Sequence, residues 1–256
     1  MNNANRVQTD HILSDPTHIR NVAERHILQK ARANDAEQRL DILEAGCGRE
    51  WTLDLEQTNY KLTGVDIDKH ALAARKNNTQ DLDEAIVGDL CSVDLQENSY
   101  DVIFNAYVLE HIEDAEQVLD NFKKWLKPGG LMILLFPDRL SVYGFLTRAT
   151  PHWLHVLYVR HISPWKKKSA GKQGFGPYPT YHAPVVSREG IANFCQQNDF
   201  SMETEYGSNT YIAQNSRTKA LMLKAIVSTV RFFSFGKLES RYNNLIYVLK
   251  KNEAIS

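Results

Sequence analysis

The sequence predicts an α/β protein on a doubly wound, mostly parallel sheet, and three observations carry that expectation. Short runs rich in branched apolar residues alternate with stretches of helical period. One such run, Leu40 to Ala45, ends in Gly46-Cys47-Gly48. A second, Leu62 to Val65, ends in Asp66, about twenty residues beyond the first glycine. Glycines after a buried strand permit positive φ and a close approach of ligand to main chain. An acid at that remove stands where nucleoside-binding folds place an acceptor for ribose hydroxyls.

Taken in order, the first element is a helix over Thr17 to Ala33. Ile19, Val22, Ala23, Ile27, Leu28 and Ala31 recur there at helical spacing behind Asp15-Pro16, and His18 and His26 read as solvated or packing residues. The first strand at 40–45 is followed by a short helix at about 50–57 and a second strand at 61–66. Asp68 caps the next helix, which runs to about Asn77, so Asp66 ends a strand and Asp68 starts a helix. Residues 84–88 form a third strand that ends at Gly88-Asp89-Leu90. A fourth, Tyr100 to Asn105, leads into Ala106-Tyr107-Val108-Leu109-Glu110-His111. A helix from Asp114 to Leu126 stops at the turn Lys127-Pro128-Gly129-Gly130, before a fifth strand at Leu131 to Phe136. Ser187 caps a helix to Asn198, and the last strands are Phe200 to Tyr206 and Leu245 to Leu249. In such a sheet ligands bind beyond the carboxyl ends of the strands, where strand order reverses. The first and fourth strands flank that point, which puts Asn105 to Tyr107 beside the ligand and Glu110 and His111 at its rim.

The order Ile42-Leu43-Glu44-Ala45-Gly46-Cys47-Gly48, Gly64-Val65-Asp66-Ile67, Gly88-Asp89-Leu90, Tyr100-Asp101-Val102-Ile103 and Leu126-Lys127-Pro128-Gly129-Gly130 resembles a class I S-adenosylmethionine-dependent methyltransferase. The resemblance covers roughly residues 38–137, with an echo near 187–207, so it concerns the cofactor part and not the acceptor. It implies a Rossmann-like, seven-stranded, mostly parallel sheet with an antiparallel last strand. S-adenosylmethionine is the implied cofactor and S-adenosylhomocysteine the product. The implied cofactor residues are Glu44, Gly46, Cys47, Gly48, Asp66 at the ribose, Asp89 at the adenine amino group with Ile67 and Leu90 as ring walls, and Asn105 and Ala106 near the methionine part. One departure stands out: the third glycine of the family's turn is Glu50 here, followed by Trp51. Glu50 either accepts from the cofactor's ammonium group or faces solvent.

Composition sets the remaining bounds. At 256 residues, 43% hydrophobic and 24% charged, the chain can bury one full domain with additions. No apolar run approaches the ~20 residues that cross a bilayer, and the polar stretch Met1 to Asp10 lacks the apolar core of a secretion signal, so a cytoplasmic protein is expected. Cys47, Cys91 and Cys195 are widely spaced and read as reduced packing residues, with no metal site. The net charge of −1 hides an asymmetry: residues 1–138 hold 25 acids and 14 Lys or Arg, a balance of −11, and residues 139–256 hold 6 acids and 16 Lys or Arg, a balance of +10. An acidic part suits a cationic cofactor. A basic part suits an anionic acceptor or surface, with attraction between the two parts as the competing reading.

Three parts follow: residues 1–137 with the N-terminal helix and cofactor half, a cap insertion at 138–186 over the acceptor, and 187–256 completing the sheet around an inserted helix at about 216–235. From Arg139 to Arg188 there is no acid, but eight Lys or Arg, eight aromatic residues and His152, His155, His161 and His182. Its first half, Ser141 to Val159, reads as helical; its second, with Lys166-Lys167-Lys168 and Gly171 to Pro179, reads as loop. In the later insertion Arg217, Lys224 and Arg231 recur every seven positions on an otherwise apolar helix. That pattern reads as burial under the cap, with a membrane or partner surface as the alternative.

The expected function is direct methyl transfer to a small-molecule acceptor, anionic or lipid-linked, with O-methylation preferred. His111, His155 and His182 are the candidate bases, since histidine titrates near neutrality. For His111 the competing role is to shape the cofactor loop. Tyr107, Arg148, Arg160 and Tyr181 are the candidate acceptor residues, with Arg139 and the lysine run also available to an anion. No nucleic-acid-binding module accompanies the basic residues, while contact with a membrane surface stays open. The alternative is a non-catalytic subunit that binds the cofactor or its product and docks on a partner or membrane. A nicotinamide dehydrogenase would leave the Gly88-Asp89-Leu90 and Pro128-Gly129-Gly130 blocks unexplained.

Overall fold

Odd and even positions of the central strands are both apolar, so these strands need cover on two faces. The computed structural model, which describes residues 12–33, 38–55, 58–161, 176–209 and 217–253, provides it with one sheet between two helical layers. Among the described residues the strands are β1 (Ile12–Leu13), β2 (Leu40–Ala45), β3 (Tyr60–Asp66), β4 (Glu84–Val87), β5 (Tyr100–Ala106), β6 (Leu126–Pro137), β7 (Phe200–Ser208) and β8 (Asn244–Lys251). They pair in the order β1-β7-β8-β6-β5-β2-β3-β4. Strand β8 alone runs against its neighbours, β6 and β7. The order reverses between β2 and β5, the junction expected to receive the ligand.

The helices are α1 (Pro16–Ala33), α2 (Lys69–Ala74), α3 (Ala115–Trp125), α4 (Val142–Ala149), α5 (His152–His161), α6 (Arg188–Gln197) and α7 (Arg217–Phe233). One sheet face presents Ile42, Val102, Phe104, Ile133 and Val248 to Ile19, Val22, Ala23 and Ile27 of α1. The other presents Leu43, Ile103, Leu134 and Tyr247 to Val118, Leu119 and Phe122 of α3 and to Ile191 and Phe194 of α6. Full burial of one such side chain contributes roughly 1.5–3 kcal/mol. Two apolar faces therefore pin the register, because slippage by one residue exchanges them. The expected helix starts are present: the Thr17 amide donates to Asp15 at 2.9 Å, that of His70 to Asp68 at 2.8 Å, that of Gln117 to Asp114 at 3.3 Å and that of Gly190 to Ser187 at 3.1 Å.

Four features differ from the sequence reading. The sheet has an eighth strand, β1, which adds two residues beside Gly207 and Ser208 of β7, too short to leave a periodic signal. Residues 50–55 are not helical. Leu53 and Leu55 alternate inward, while the Asp54 amide donates to Glu24 of α1 at 2.8 Å, so the segment lies extended along α1. Residues 56 and 57 lie outside the described residues. Strand β6 begins at Leu126 and not at Leu131: Leu126 pairs with Tyr100 and Leu131 with Val102, which makes Lys127 to Gly130 a bulge opposite Asp101. Lys127 Nζ fastens it with hydrogen bonds to Asp101 at 2.8 Å and Asp41 at 3.1 Å. Finally, α7 is not buried. Its apolar residues encircle it, α4 covers one side, and Leu221, Met222, Ile226, Phe232 and Phe233 are exposed. The lysine run at 166–168 lies outside the described residues.

Candidate functional site

The carboxyl ends of the parallel strands share one cavity of about 720 Å³. Gly46 and Gly48 follow β2, Asp66 and Ile67 end β3, Gly88, Asp89 and Leu90 follow β4, and Ala106 and Tyr107 end β5; all line it. Gly46 has φ +75°, and a Cβ there would run into the Val108 side chain. Gly48 has φ +55°, and a Cβ there would meet nothing within 4 Å, so its backbone faces the open cavity. The Asp66 carboxylate bridges the turns: Oδ2 accepts from the Gly48 amide and Oδ1 from the Asp68 amide, each at 2.8 Å. Asp89 Oδ1 accepts from the Cys91 amide at 2.9 Å, so this side chain both caps its turn and lines the cavity. Ile67 stands 75% exposed against that open space, whereas Leu90 is buried with its edge in the wall.

Among the described residues five carboxylates line the cavity, from Asp66, Asp68, Asp89, Glu113 and Asp114, and no Lys or Arg does. That charge suits a cationic ligand. The open main chain at Gly48, the acid at the end of β3 and the apolar wall of Ile67 and Leu90 fit S-adenosylmethionine.

Three predicted cofactor residues sit behind the lining. Glu44 is buried, and its Oε2 takes Arg75 Nη1 at 2.9 Å. The same guanidinium donates to the Cys47 carbonyl at 2.8 Å and, through Nε, to Asp81 at 2.7 Å, while the second oxygen of Asp81 takes the Trp51 amide at 3.3 Å. Arg75 is itself fully buried and so braces the glycine turn from below. Cys47 is buried beneath that turn, where burial pushes its thiol up to about 12. Asn105 is fully buried and donates to the Ala45 carbonyl at 2.8 Å, which ties β5 to the turn. Glu50 is exposed and does not line the cavity, while Trp51 packs edge-on to Phe104 at 5.7 Å.

The sequence reading missed Arg75. Its signal was a cation just past the end of α2, in line with its apolar side, three and four residues beyond the buried Leu72 and Ala71. It also missed Tyr178 and Pro179, which line the cavity. The Tyr181 and His182 amides donate to the Glu110 carbonyl at 2.9 and 3.2 Å, clasping residues 178–182 onto the segment after β5.

Of the three candidate bases, His111 lines the cavity and the others do not. His111 Nδ1 lies 2.7 Å from the Pro179 carbonyl. A carbonyl only accepts, so Nδ1 carries the proton and Nε2 keeps its lone pair. Burial lowers the pKa of His111, and the bond to Pro179 opposes this in part. Glu110 Oε1 stands 3.8 Å from Nε2, too far for a hydrogen bond. Glu110 is buried, its Oε2 has no partner, and burial pushes its carboxyl up to about 8. His182 is buried against Thr147 at 3.2 Å, and burial, with Arg148 nearby, depresses it to about 4. His155 bonds Thr150 at 2.6 Å.

Of the acceptor candidates, Tyr107 and Tyr181 line the cavity, and Arg148 and Arg160 do not. Tyr107 holds a left-handed conformation, φ +59°, rare for an aromatic residue. Arg148 folds back over its own helix, donating to the Gly144 and Arg139 carbonyls at 3.4 and 3.3 Å.

Known proteins share this fold and parts of this sequence. Residues 43–134 match the family described as "Methyltransferase domain". A Mycolicibacterium smegmatis protein named "Probable S-adenosylmethionine-dependent methyltransferase" is 31% identical over 40% of this chain and 39% of its own length. The demethylmenaquinone methyltransferase of Bacillus mycoides is 27% identical over 52% of this chain and 57% of its own. The chain thus spans about half the length of the curated relatives it matches. In fold it is similar to a SAM-dependent methyltransferase structure from Methanosarcina mazei, with TM-score 0.52 and 15% identity over 85% of this chain and 95% of that one. The YcgJ protein of Bacillus subtilis gives TM-score 0.54 and 13% identity over 93% and 99%. Residues 43–134 thus form a methyltransferase domain of the class I S-adenosylmethionine-dependent family, whose cofactor is S-adenosylmethionine.

Proposed function

We propose that this protein is a methyltransferase that O-methylates a small, lipid-linked acceptor with a quinone-type ring in its reduced, hydroxyl-bearing quinol form, the ring lying against Tyr107, Tyr178 and Tyr181. The observation that carries the reading is the convergence of Gly48, Asp66 and Asp89 with His111 and those tyrosines on one acid-lined cavity. When bound, S-adenosylmethionine supplies an activated methyl group on a positively charged sulfur. Gly46 and Gly48 offer close main chain, Asp66 accepts from the ribose hydroxyls, Asp89 accepts from the adenine amine, and Ile67, Leu90 and Ala106 form apolar wall. Glu44, Cys47 and Asn105 act from behind, by holding the turn. The acceptor hydroxyl gives its proton to His111 Nε2, the free nitrogen of a ring oriented by Pro179. Alignment and exclusion of water account for the rest.

The demethylmenaquinone methyltransferases among the relatives support a quinone-type acceptor. An anionic acceptor has less support, because Arg148 and Arg160 stand outside the lining. Residues 138–186 serve as the cap, through Tyr178 to Tyr181, and the basic part provides peripheral contact with a membrane.

Calorimetry with S-adenosylhomocysteine and transfer of labelled methyl to demethylated quinols and other lipid extracts test the reading. Tight product binding is expected. Asp66→Ala loses a charge-assisted acceptor worth ~1–3 kcal/mol, which weakens that binding about tenfold to a hundredfold. Tight binding without transfer to any fraction would instead favour the non-catalytic subunit, for which the exposed Glu50 in the glycine turn speaks.

A further inference from the structure

Helix α7 carries more apolar side chains than the protein covers. Its inner row, Leu223, Val227 and Val230, is half-buried, and the first two face Val142 and Leu146 of α4 across a narrow crevice. Its outer rows stand in solvent. Leu221, Ala225 and Phe232 recur at spacings of four and seven, and Met222, Ile226 and Phe233 repeat this one position on, which merges them into one broad stripe. Phe232 is 77% exposed, Phe233 74% and, just past the helix, Phe235 91%. Single exposed apolar residues are ordinary; a contiguous set on one helix face marks a contact surface.

Along α7 and the turn that follows it, the charged residues have one sign. Lys224 and Arg231, seven residues apart, flank it, and Lys237 follows; all three are exposed. Residues 206–238 contain no Asp or Glu but five Lys or Arg. Arg231 bonds the neutral Ser240 hydroxyl at 2.9 Å, and the next acid along the chain, Glu239, is taken by Arg241 at 3.0 Å.

We propose that the outer face of α7 seats the protein on an anionic lipid bilayer. Leu221, Met222, Phe232 and Phe233 enter the boundary of the acyl region, and Lys224, Arg231 and Lys237 meet headgroup phosphates. A patch on a protein partner would also cover apolar residues. Arg231 and Lys237 share a pocket with four carboxylates, of which Asp138 is buried, Glu205 is paired with Arg188 and Glu239 with Arg241, leaving Glu189; the excess of positive charge along α7 favours a uniformly negative plane over a surface of mixed sign. Placement agrees: α7 is inserted between β7 and β8, whose ends meet at Ser208 and Asn244, and Asn244 pairs with Pro137 at the carboxyl end of β6. That is the end of the sheet on which the cavity opens, so seating α7 turns it toward lipid. The inference deepens the membrane side of the proposed function and does not depend on methyl transfer.

Flotation of the full chain with vesicles, without cofactor or acceptor, tests it. The protein is expected to float with phosphatidylcholine vesicles that contain phosphatidylglycerol, and at least about tenfold more weakly with phosphatidylcholine alone, since each basic residue near an anionic surface contributes about 1 kcal/mol. The double variant Lys224→Glu/Arg231→Glu loses about tenfold or more in partitioning, as does Phe232→Ser/Phe233→Ser, and both bind S-adenosylhomocysteine like the parent chain. Should the phenylalanine variant fail to fold, Leu221→Ser/Met222→Ser serves in its place. Absence of flotation, or equal partitioning of parent and variants, overturns the proposal. So does a dimer in sedimentation velocity that Phe232→Ser dissolves, which would give the face to a second copy. Flotation without any methyl transfer sinks the activity and leaves the docking surface standing.

Discussion

The two sides of the cavity are anchored in different ways. On the side of β2, β3 and β4, each chemical group is tied to backbone within a few residues of a strand end: Asp66 to the Gly48 and Asp68 amides, Asp89 to the Cys91 amide. On the other side, Tyr178 to Tyr181 arrive from a distant insertion and hold on through two amides on the Glu110 carbonyl and one carbonyl on His111. The first side is rigid by construction and suited to an invariant nucleoside; the second can vary with the acceptor without disturbing the sheet. His111 joins them, so its replacement should cost most. His111→Ala is expected to lower kcat by about 10²–10⁴-fold while S-adenosylhomocysteine binds within about threefold, because the His111 ring bonds the Pro179 carbonyl and no residue assigned to the cofactor. Rate and calorimetric affinity measured on the same preparation separate the two. Equal losses in both would make His111 a residue of the loop and not the base.

The rigid side also has a structural keystone. Arg75→Met would leave Glu44 buried without its cation and release the Cys47 carbonyl and Asp81. Breaking one partner out of a buried pair costs about 3–5 kcal/mol, visible as a lowered urea midpoint. The same change at Arg241, a half-exposed partner of Glu239, should cost no more than about 1 kcal/mol. Similar losses at the two sites would erase the contrast.

A third test uses pH. Burial raises the carboxyl of Glu110 to about 8 in the folded chain, against about 4.3 unfolded. A folded pKa above the unfolded one means that the native state holds the extra proton. The associated stability is complete below about pH 4.3 and is lost as pH rises through 8. Glu110→Gln should therefore remove part of the decline between about pH 4.3 and 8, with a gain on the order of 2 kcal/mol at the alkaline end. Glu44 remains in both chains, so the difference curve isolates Glu110. Parallel stability curves would mean that Glu110 is ionised and paired in solution.

What was legible in the sequence follows the same division. Gly46, Gly48, Asp66 and Asp89 could be placed because glycine and acid at a strand end are local signals with a backbone cause, and the helix starts at Asp68, Asp114 and Ser187 for the same reason. Arg75 was overlooked because a cation just past the end of α2, in line with its apolar side, gains meaning only when Glu44, from another strand, stands opposite. Residues 50–55 look helical by composition, yet the bonds that hold them extended come from α1. Which of the candidate histidines faces the cavity was beyond local reading. Residues 178–182 dock onto 110–111 by contacts across some seventy residues, and those contacts turn His182 inward and leave His111 at the wall. The apolar circumference of α7 was plain, but how little of it the remaining chain covers depends on the placement of α4.

The smallest expected effect bears on the charge of the acceptor. Arg148→Ala and Arg160→Ala should each change KM by less than about twofold, since neither side chain lines the cavity and Arg148 is engaged with the Arg139 and Gly144 carbonyls. Uniform loss of ground-state binding raises KM and leaves kcat alone, so a charged headgroup held by either guanidinium would show there and would weaken with added salt. A tenfold rise in KM for one variant, relieved by salt in the parent chain, would place an anion near α4 and α5. The acceptor side would then have its own electrostatic anchor, and the contrast between a fixed acidic wall and an adaptable aromatic one would give way to two fixed walls of opposite charge.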